Sequence, residues 1–298
     1  MAVGKRRAAR EPGGYVPSPR PSFDGPAHIP YERATRHLWG DEVSGQVADW
    51  IYVSSDKIHQ LVFGLPPGGA FRHSDAFRTV FAADEVFYVL AGTLVLSNPE
   101  SGEVHVLRTG EAAFFCRDTW HHGMNYDTGS LRVLELLAPP PSQGTSGAYA
   151  RTKPPLERAK GGQDEWIGRW PVGQQEARRG FTIRVLREPD LLWRLEGEGN
   201  RVLVGILAST EHLTVGKVLL LPGQRSSPQI HGGDESLYVL EGTLNVQVNT
   251  EAGQSWHELK PGDGFYVPEG IAHQYYNHSD GQVELIFGVA PSYFPRGG

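Results

Sequence analysis

Two heptapeptides 150 residues apart constrain this chain more than any other feature. Tyr88-Val89-Leu90-Ala91-Gly92-Thr93-Leu94 returns as Tyr238-Val239-Leu240-Glu241-Gly242-Thr243-Leu244. Gly110, His121, Asn125 and Ala138-Pro139 return at an offset of 152 as Gly262, His273, Asn277 and Ala290-Pro291, and Gly68 returns at 155 as Gly223. The first half therefore carries five extra residues between its Pro-Gly turn and Glu85. A chain of 298 residues has room for two such units of roughly 100 to 150 residues each. Short apolar runs, 37 Gly, 22 Pro and 10% aromatics make both halves turn-rich and all-β. The division is a basic, Pro/Gly-rich arm at 1–26, a first domain at 27–141, a linker at 142–195 and a second domain at 196–298. Trp166 and Trp170 are expected to pack the linker, which has room for a short helix, across both domains.

The second half concentrates the chemistry. Gln229 and His231 are two apart and share a face on a strand. Gly232-Gly233 then allows a sharp corner before Glu235 opens the next strand. A later strand, turn and returning strand, Gly264 to His273, bring in a second imidazole. Two imidazoles, a carboxylate and an amide oxygen suit divalent iron, manganese, nickel, copper or zinc. If His231, Glu235 and His273 alone bind tightly, positions stay open for water, substrate or dioxygen. Gln229 is either a fourth ligand or an amide that orients substrate. The competing reading is a metal-free polar cluster, whose groups would need other partners in an apolar cavity.

These residues resemble the two motifs of the cupin superfamily. The first motif is histidine, any residue, histidine, three or four residues, glutamate, six residues, glycine; here Gln229, His231, Glu235 and Gly242 stand at those spacings, with glutamine for the first histidine. The second is matched by Gly262, Pro268, Gly270, His273 and Asn277. The resemblance implies two tandem cupin barrels, double-stranded β-helices of jelly-roll type, as in the bicupins. It also implies barrels that pair through their sheets, hence a homodimer.

In the first half Thr79 and Phe81 stand where Gln229 and His231 stand in the second. His73, Glu85 and His121 are candidates for a rebuilt second site, if the five-residue insertion folds His73 back. The alternative is a metal-free barrel with Glu85 and His121 paired, and Arg72 or Arg78 as countercharge. Lys217, Phe265 and Tyr275 are candidates for the substrate pocket, whereas Asn277 reads as a turn residue. Cys116, the single cysteine, excludes an intrachain disulfide and is expected to be buried and inert.

Net charge is −6 and the pI about 6.1, so no nucleic-acid partner is expected. No apolar run of about 18 residues is present, so no membrane partner is expected either, and the cytoplasm is the expected location. Lys5, Arg6, Arg7, Arg10 and Arg20 make the arm basic, and it is expected to be a loose or partner-draped tail. The favoured function is that of a metal-dependent enzyme on a small oxygenated organic molecule, an iron-dependent dioxygenase with one divalent ion per chain. A manganese hydrolase or isomerase similar to the ureidoglycine aminohydrolases is one alternative, and a non-enzymatic small-molecule binder is another.

Overall fold

The computed structural model describes residues 17–141, 147–197 and 201–295; Lys5, Arg6, Arg7 and Arg10 of the arm, and the linker stretch 142–146, lie outside them. The first half contains β1 (Ala27–Ile29), β2 (Thr35–Asp41), β3 (Gly45–Ser54), β4 (His59–Leu65), β5 (Ala70–Phe71), β6 (Asp84–Ala91), β7 (Thr93–Asn98), β8 (Glu103–Arg108), β9 (Ala112–Phe115), β10 (His122–Asn125) and β11 (Leu131–Ala138). The linker holds the helix α1 (Val172–Arg179) and β12 (Arg184–Leu186). Then follow β13 (Leu192–Glu196), β14 (Val202–Ser209), β15 (Thr214–Leu220), β16 (Asp234–Glu241), β17 (Leu244–Thr250), β18 (Gly253–Leu259), β19 (Gly264–Val267), β20 (Ala272–Tyr276) and β21 (Val283–Ala290).

Each half is a two-sheet barrel. One seven-stranded sheet runs β12-β9-β6-β11-β4-β3-β2 above a four-stranded sheet, β5-β10-β7-β8. The other runs β1-β19-β16-β21-β15-β14-β13 above β18-β17-β20. The small sheets face water on one side, so β7 alternates buried and accessible residues. β6, β11, β16 and β21 are buried on both faces, and read as continuous apolar runs for that reason. One face fills its own barrel. The other joins a core shared between barrels, in which Tyr52, Val62, Val86, Tyr88, Leu134 and Leu136 meet Val215, Tyr238 and Ile286.

The sequence boundaries shift in three places. β1 pairs with β19 of the second barrel, and β12 pairs with β9 of the first, so each barrel's sheet is completed by a strand from outside its own repeat. β13 pairs with β14, which moves the start of the second barrel from residue 196 to Leu192. Trp166 and Trp170 do not bridge the barrels: they are 39% and 70% exposed. The linker is held instead at Thr182, whose backbone N–H donates to Glu103 Oε1 at 2.9 Å, and at Ile183, which enters the first core. Residues 17–26 of the arm are also anchored, since Ser54 N–H donates to Pro21 O at 2.6 Å and Arg20 Nη2 to Ser55 O at 2.9 Å. Cys116 is exposed, not buried, because it follows the last residue of β9. Asn277 is a turn residue as expected: its Nδ2 donates to Leu220 O and Gly281 O at 2.9 and 2.8 Å. No helix among the described residues is long and apolar enough to cross a membrane.

Candidate metal centre

The site begins at Gly233. A Cβ there would lie 2.2 Å from Ala290 O, so only glycine lets the chain pass this close to β21 and start β16 one residue later. Glu235 is thereby fixed between Val289 on β21 and Val267 on β19. Gln229 bridges to His273 by a pair of backbone hydrogen bonds, Gln229 N–H to His273 O at 2.8 Å and the reverse at 3.0 Å, which sets His273 of β20 opposite the same barrel mouth.

His231, Glu235 and His273 are all buried, and each offers a ligand atom within 4.8 Å of the others. Glu235 Oε2 lies 2.7 Å from His273 Nε2 and 3.5 Å from His231 Nε2. Although close, Glu235 Oε2 and His273 Nε2 make no aligned hydrogen bond and have no other partner. Their lone pairs are left aimed at a shared point, which fits a cation there. The other ring nitrogens explain the orientation. His231 Nδ1 donates to Tyr293 O at 2.6 Å and His273 Nδ1 to Ile271 O at 3.2 Å; since a carbonyl can only accept, each Nε2 presents its lone pair to the centre.

Electrostatics agree with this. Burial would raise the Glu235 carboxyl, yet its attraction to the neighbouring His273 and His231 rings holds it well below the usual carboxylate range, so it stays ionised. Burial would lower His231, and the same carboxylate raises it above its ordinary value. A buried carboxylate with two imidazoles turned towards it is a donor set that could hold a cation. Tyr275 adds a short hydrogen bond from its hydroxyl to Glu235 Oε1, leaving Oε2 as the carboxylate's donor atom.

Gln229 is not among the converging groups. Its Nε2 donates to Glu196 Oε2 at 3.1 Å, at the rim of an open depression of about 560 Å³ that leads to His231. Tyr293 donates its hydroxyl to Glu196 Oε1 at 3.0 Å, and Arg194 pairs with the same carboxylate. Sequence reasoning missed Arg194, Glu196 and Tyr293. Two of them sit on β13 and one follows β21, outside both motifs. Of the expected pocket residues, Tyr275 reaches the site. Lys217 instead pairs with Glu284 on the outer face of the barrel sheet, and Phe265 is fully buried in the core against His257.

Among the described residues the first barrel has no equivalent cluster. His73 does not fold back to Glu85 and His121: its Nδ1 lies 2.8 Å from His122 Nε2 beside Trp120. His121 is surrounded by Phe71, Phe81, Phe87 and Phe115, and burial lowers its pKa to about 4. Glu85 Oε2 has no hydrogen-bond partner, so the expected Glu85–His121 pair is absent too. Arg72 and Arg78 donate to Val43 O and Lys153 O, which corrects the expectation of a guanidinium beside Glu85. The residue equivalent to Tyr275 is Gly123, and the Phe71 ring fills the space its side chain would need.

Two jelly-roll barrels, one of them carrying two histidines and a carboxylate at its mouth, define the two-barrel class called bicupins. The sequence profile of the cupin domain matches residues 62–137 and 216–289, so the chain belongs to the cupin family. It is similar to the protein SchB of Streptomyces halstedii, 26% identical over 99 residues, which is 33% of this chain and 69% of that one. Among solved structures it superimposes on a putative glyoxylate-induced protein from Pseudomonas aeruginosa with a TM-score of 0.63 at 16% identity, over 93% of both chains. A variant of Bacillus subtilis oxalate decarboxylase gives a TM-score of 0.58 at 14% identity, covering 92% of this chain and 80% of that one. At these identities the structural likeness establishes the fold.

Proposed function

We propose that this bicupin is a metal-dependent enzyme acting on a small oxygenated organic molecule, and that it is a non-haem dioxygenase. The observation that carries the reading is the convergence of His231 Nε2, His273 Nε2 and Glu235 Oε2, with the Gln229 amide turned away to Glu196. Two histidines and one carboxylate would suit iron(II), which, when bound, would supply open positions for substrate oxygens and dioxygen. A dioxygenase places both atoms of dioxygen in the product, so such a reaction would need no external reductant.

The residues around this set have separable tasks. Tyr275 holds Glu235 to one donor oxygen, and the carbonyls of Tyr293 and Ile271 fix the tautomers of the two ligating rings. At the mouth, Arg194 and Gln229 offer donors to substrate oxygens, while Ile230 and Phe294 offer apolar surface for the remainder. Iron-loaded protein should consume oxygen when given a β-diketone, a catechol or a flavonol, and His273→Ala should abolish both uptake and bound metal. Absence of uptake with every divalent metal and each of these substrates would overturn the dioxygenase reading.

A hydrolase or isomerase is the second reading, favoured by the Glu196 carboxylate at the mouth of the depression, where it can accept a proton. Turnover without dioxygen would select it.

A further inference from the structure

The barrel without the metal set has the more polar interior of the two. Asp49 lies opposite Phe63 on β4, as Val204 lies opposite Val218 on β15. Glu135 lies opposite Leu61 and Phe87, as Phe287 lies opposite Gly216 and Leu237. The flanking residues correspond at the offsets of 155 and 150 that relate the two halves. Two positions that are apolar core in the metal-bearing barrel are thus carboxylic acids here.

Asp49 and Glu135 are 6% and 8% exposed, and they line a cavity of about 50 Å³ together with Thr79, Trp39, Phe63 and Phe87. Thr79 is 1% exposed, and its Oγ1 has no hydrogen-bond partner. His121 also reaches the cavity; its Nδ1 is spent on Thr119 O, so its Nε2 is an acceptor. Burial pushes Glu135 up to about 8 and Asp49 well above the carboxylate range. Among the described residues no basic side chain would offset the two acids if they ionised, so at neutral pH they keep their protons unless a cation enters the cavity and displaces them. One water-sized group takes roughly 10–15 Å³ of such space, so three or four heavy atoms fit.

We propose that this cavity is a second ligand site that binds a small primary ammonium ion, of methylammonium or ethylammonium size. Its three N–H donors match Asp49, Glu135 and the Thr79 hydroxyl, and its charge supplies what the two acids lack. Its short stem packs against Trp39, Phe63 and Phe87, whose ring faces favour a cation. The site is independent of the metal centre.

Calorimetric titration of the full chain at pH 8 with ethylammonium chloride tests the proposal, with potassium chloride and ethanol as the ionic and neutral controls. The expected result is saturable binding of one ethylammonium per chain, absent with either control and persisting after treatment with a chelator. Glu135→Gln and the near-isosteric Thr79→Val, both checked for fold by circular dichroism, should each weaken it by about tenfold or more. No saturation, equal binding of potassium or ethanol, equal binding by both variants, or loss of binding on chelation would each overturn it.

Discussion

Glu235 keeps its charge in a buried site because its oxygens are divided between two tasks, Oε1 taking the Tyr275 hydroxyl and Oε2 facing the imidazoles. Tyr275→Phe leaves the ring in the core and removes only the hydroxyl. Metal affinity should fall by roughly 10–100-fold, as with other partners that orient a ligand, with little change in folding midpoint; a titration with iron(II) or manganese(II) reads this. Glu135 gives the opposite case, a carboxyl whose charge nothing supports. Its folded pKa of about 8 lies above the ordinary 4.5, so the native state holds the proton more tightly than the unfolded chain does. Between those values stability falls as pH rises, and below 4.5 the effect vanishes. Glu135→Gln should therefore raise stability at pH 8 by on the order of a few kcal/mol and change it little at pH 4.5, in urea denaturation at both values. An equal effect at the two pH values would mean that Glu135 is not protonated in the native barrel.

At the scale of the element, the corner between His231 and β16 decides whether the centre forms. Gly233→Ala would drive a methyl group into Ala290 O, and backbone cannot yield as a side-chain end can. The start of β16 must then lift from β21, carrying Glu235 out of reach of His273. The expected result is loss of stoichiometric metal by elemental analysis together with a destabilisation of about 2 kcal/mol or more. The corner was legible in the sequence, since Gly232-Gly233 sits at fixed spacing from His231 and Glu235. The strands β1 and β12 were not: three residues have no period to read, and only tertiary pairing assigns them to the opposite barrel. Arg194, Glu196 and Tyr293 were hidden for a related reason, because they converge on the mouth from outside the repeat. Asp49 and Glu135 stood in plain apolar runs, but their meaning depends on the register that sets them against Val204 and Phe287 of the other barrel.

At the scale of the whole molecule, the two repeats share one core, and this joins the barrel with the His231–Glu235–His273 cluster to a barrel without such a cluster among the described residues. Tyr52 of β3 is fully buried against Tyr238 of β16, at 5.6 Å between ring centroids, and donates its hydroxyl to Gly262 O at 2.6 Å. The crossed strands add to the connection, since Nε2 of His28, within β1, lies 2.9 Å from Asp263 in the second barrel. Barrels connected this way cannot separate without exposing Val86, Leu134, Leu136 and Ile286 to water, so they should unfold as one unit. A ligand at one end then stabilises both. A divalent metal present at about a hundred times its dissociation constant contributes about 2.7 kcal/mol, which for a chain of this size raises the melting midpoint by roughly 5 °C. Trp39 and Trp120, both buried in the first barrel, provide the readout. In a variant with the other five tryptophans replaced by phenylalanine, their fluorescence should report the same midpoint as metal release from the second barrel, and a chelator should lower the two together. Two separate transitions, with only the later barrel responding to the chelator, would show that the shared core does not couple them.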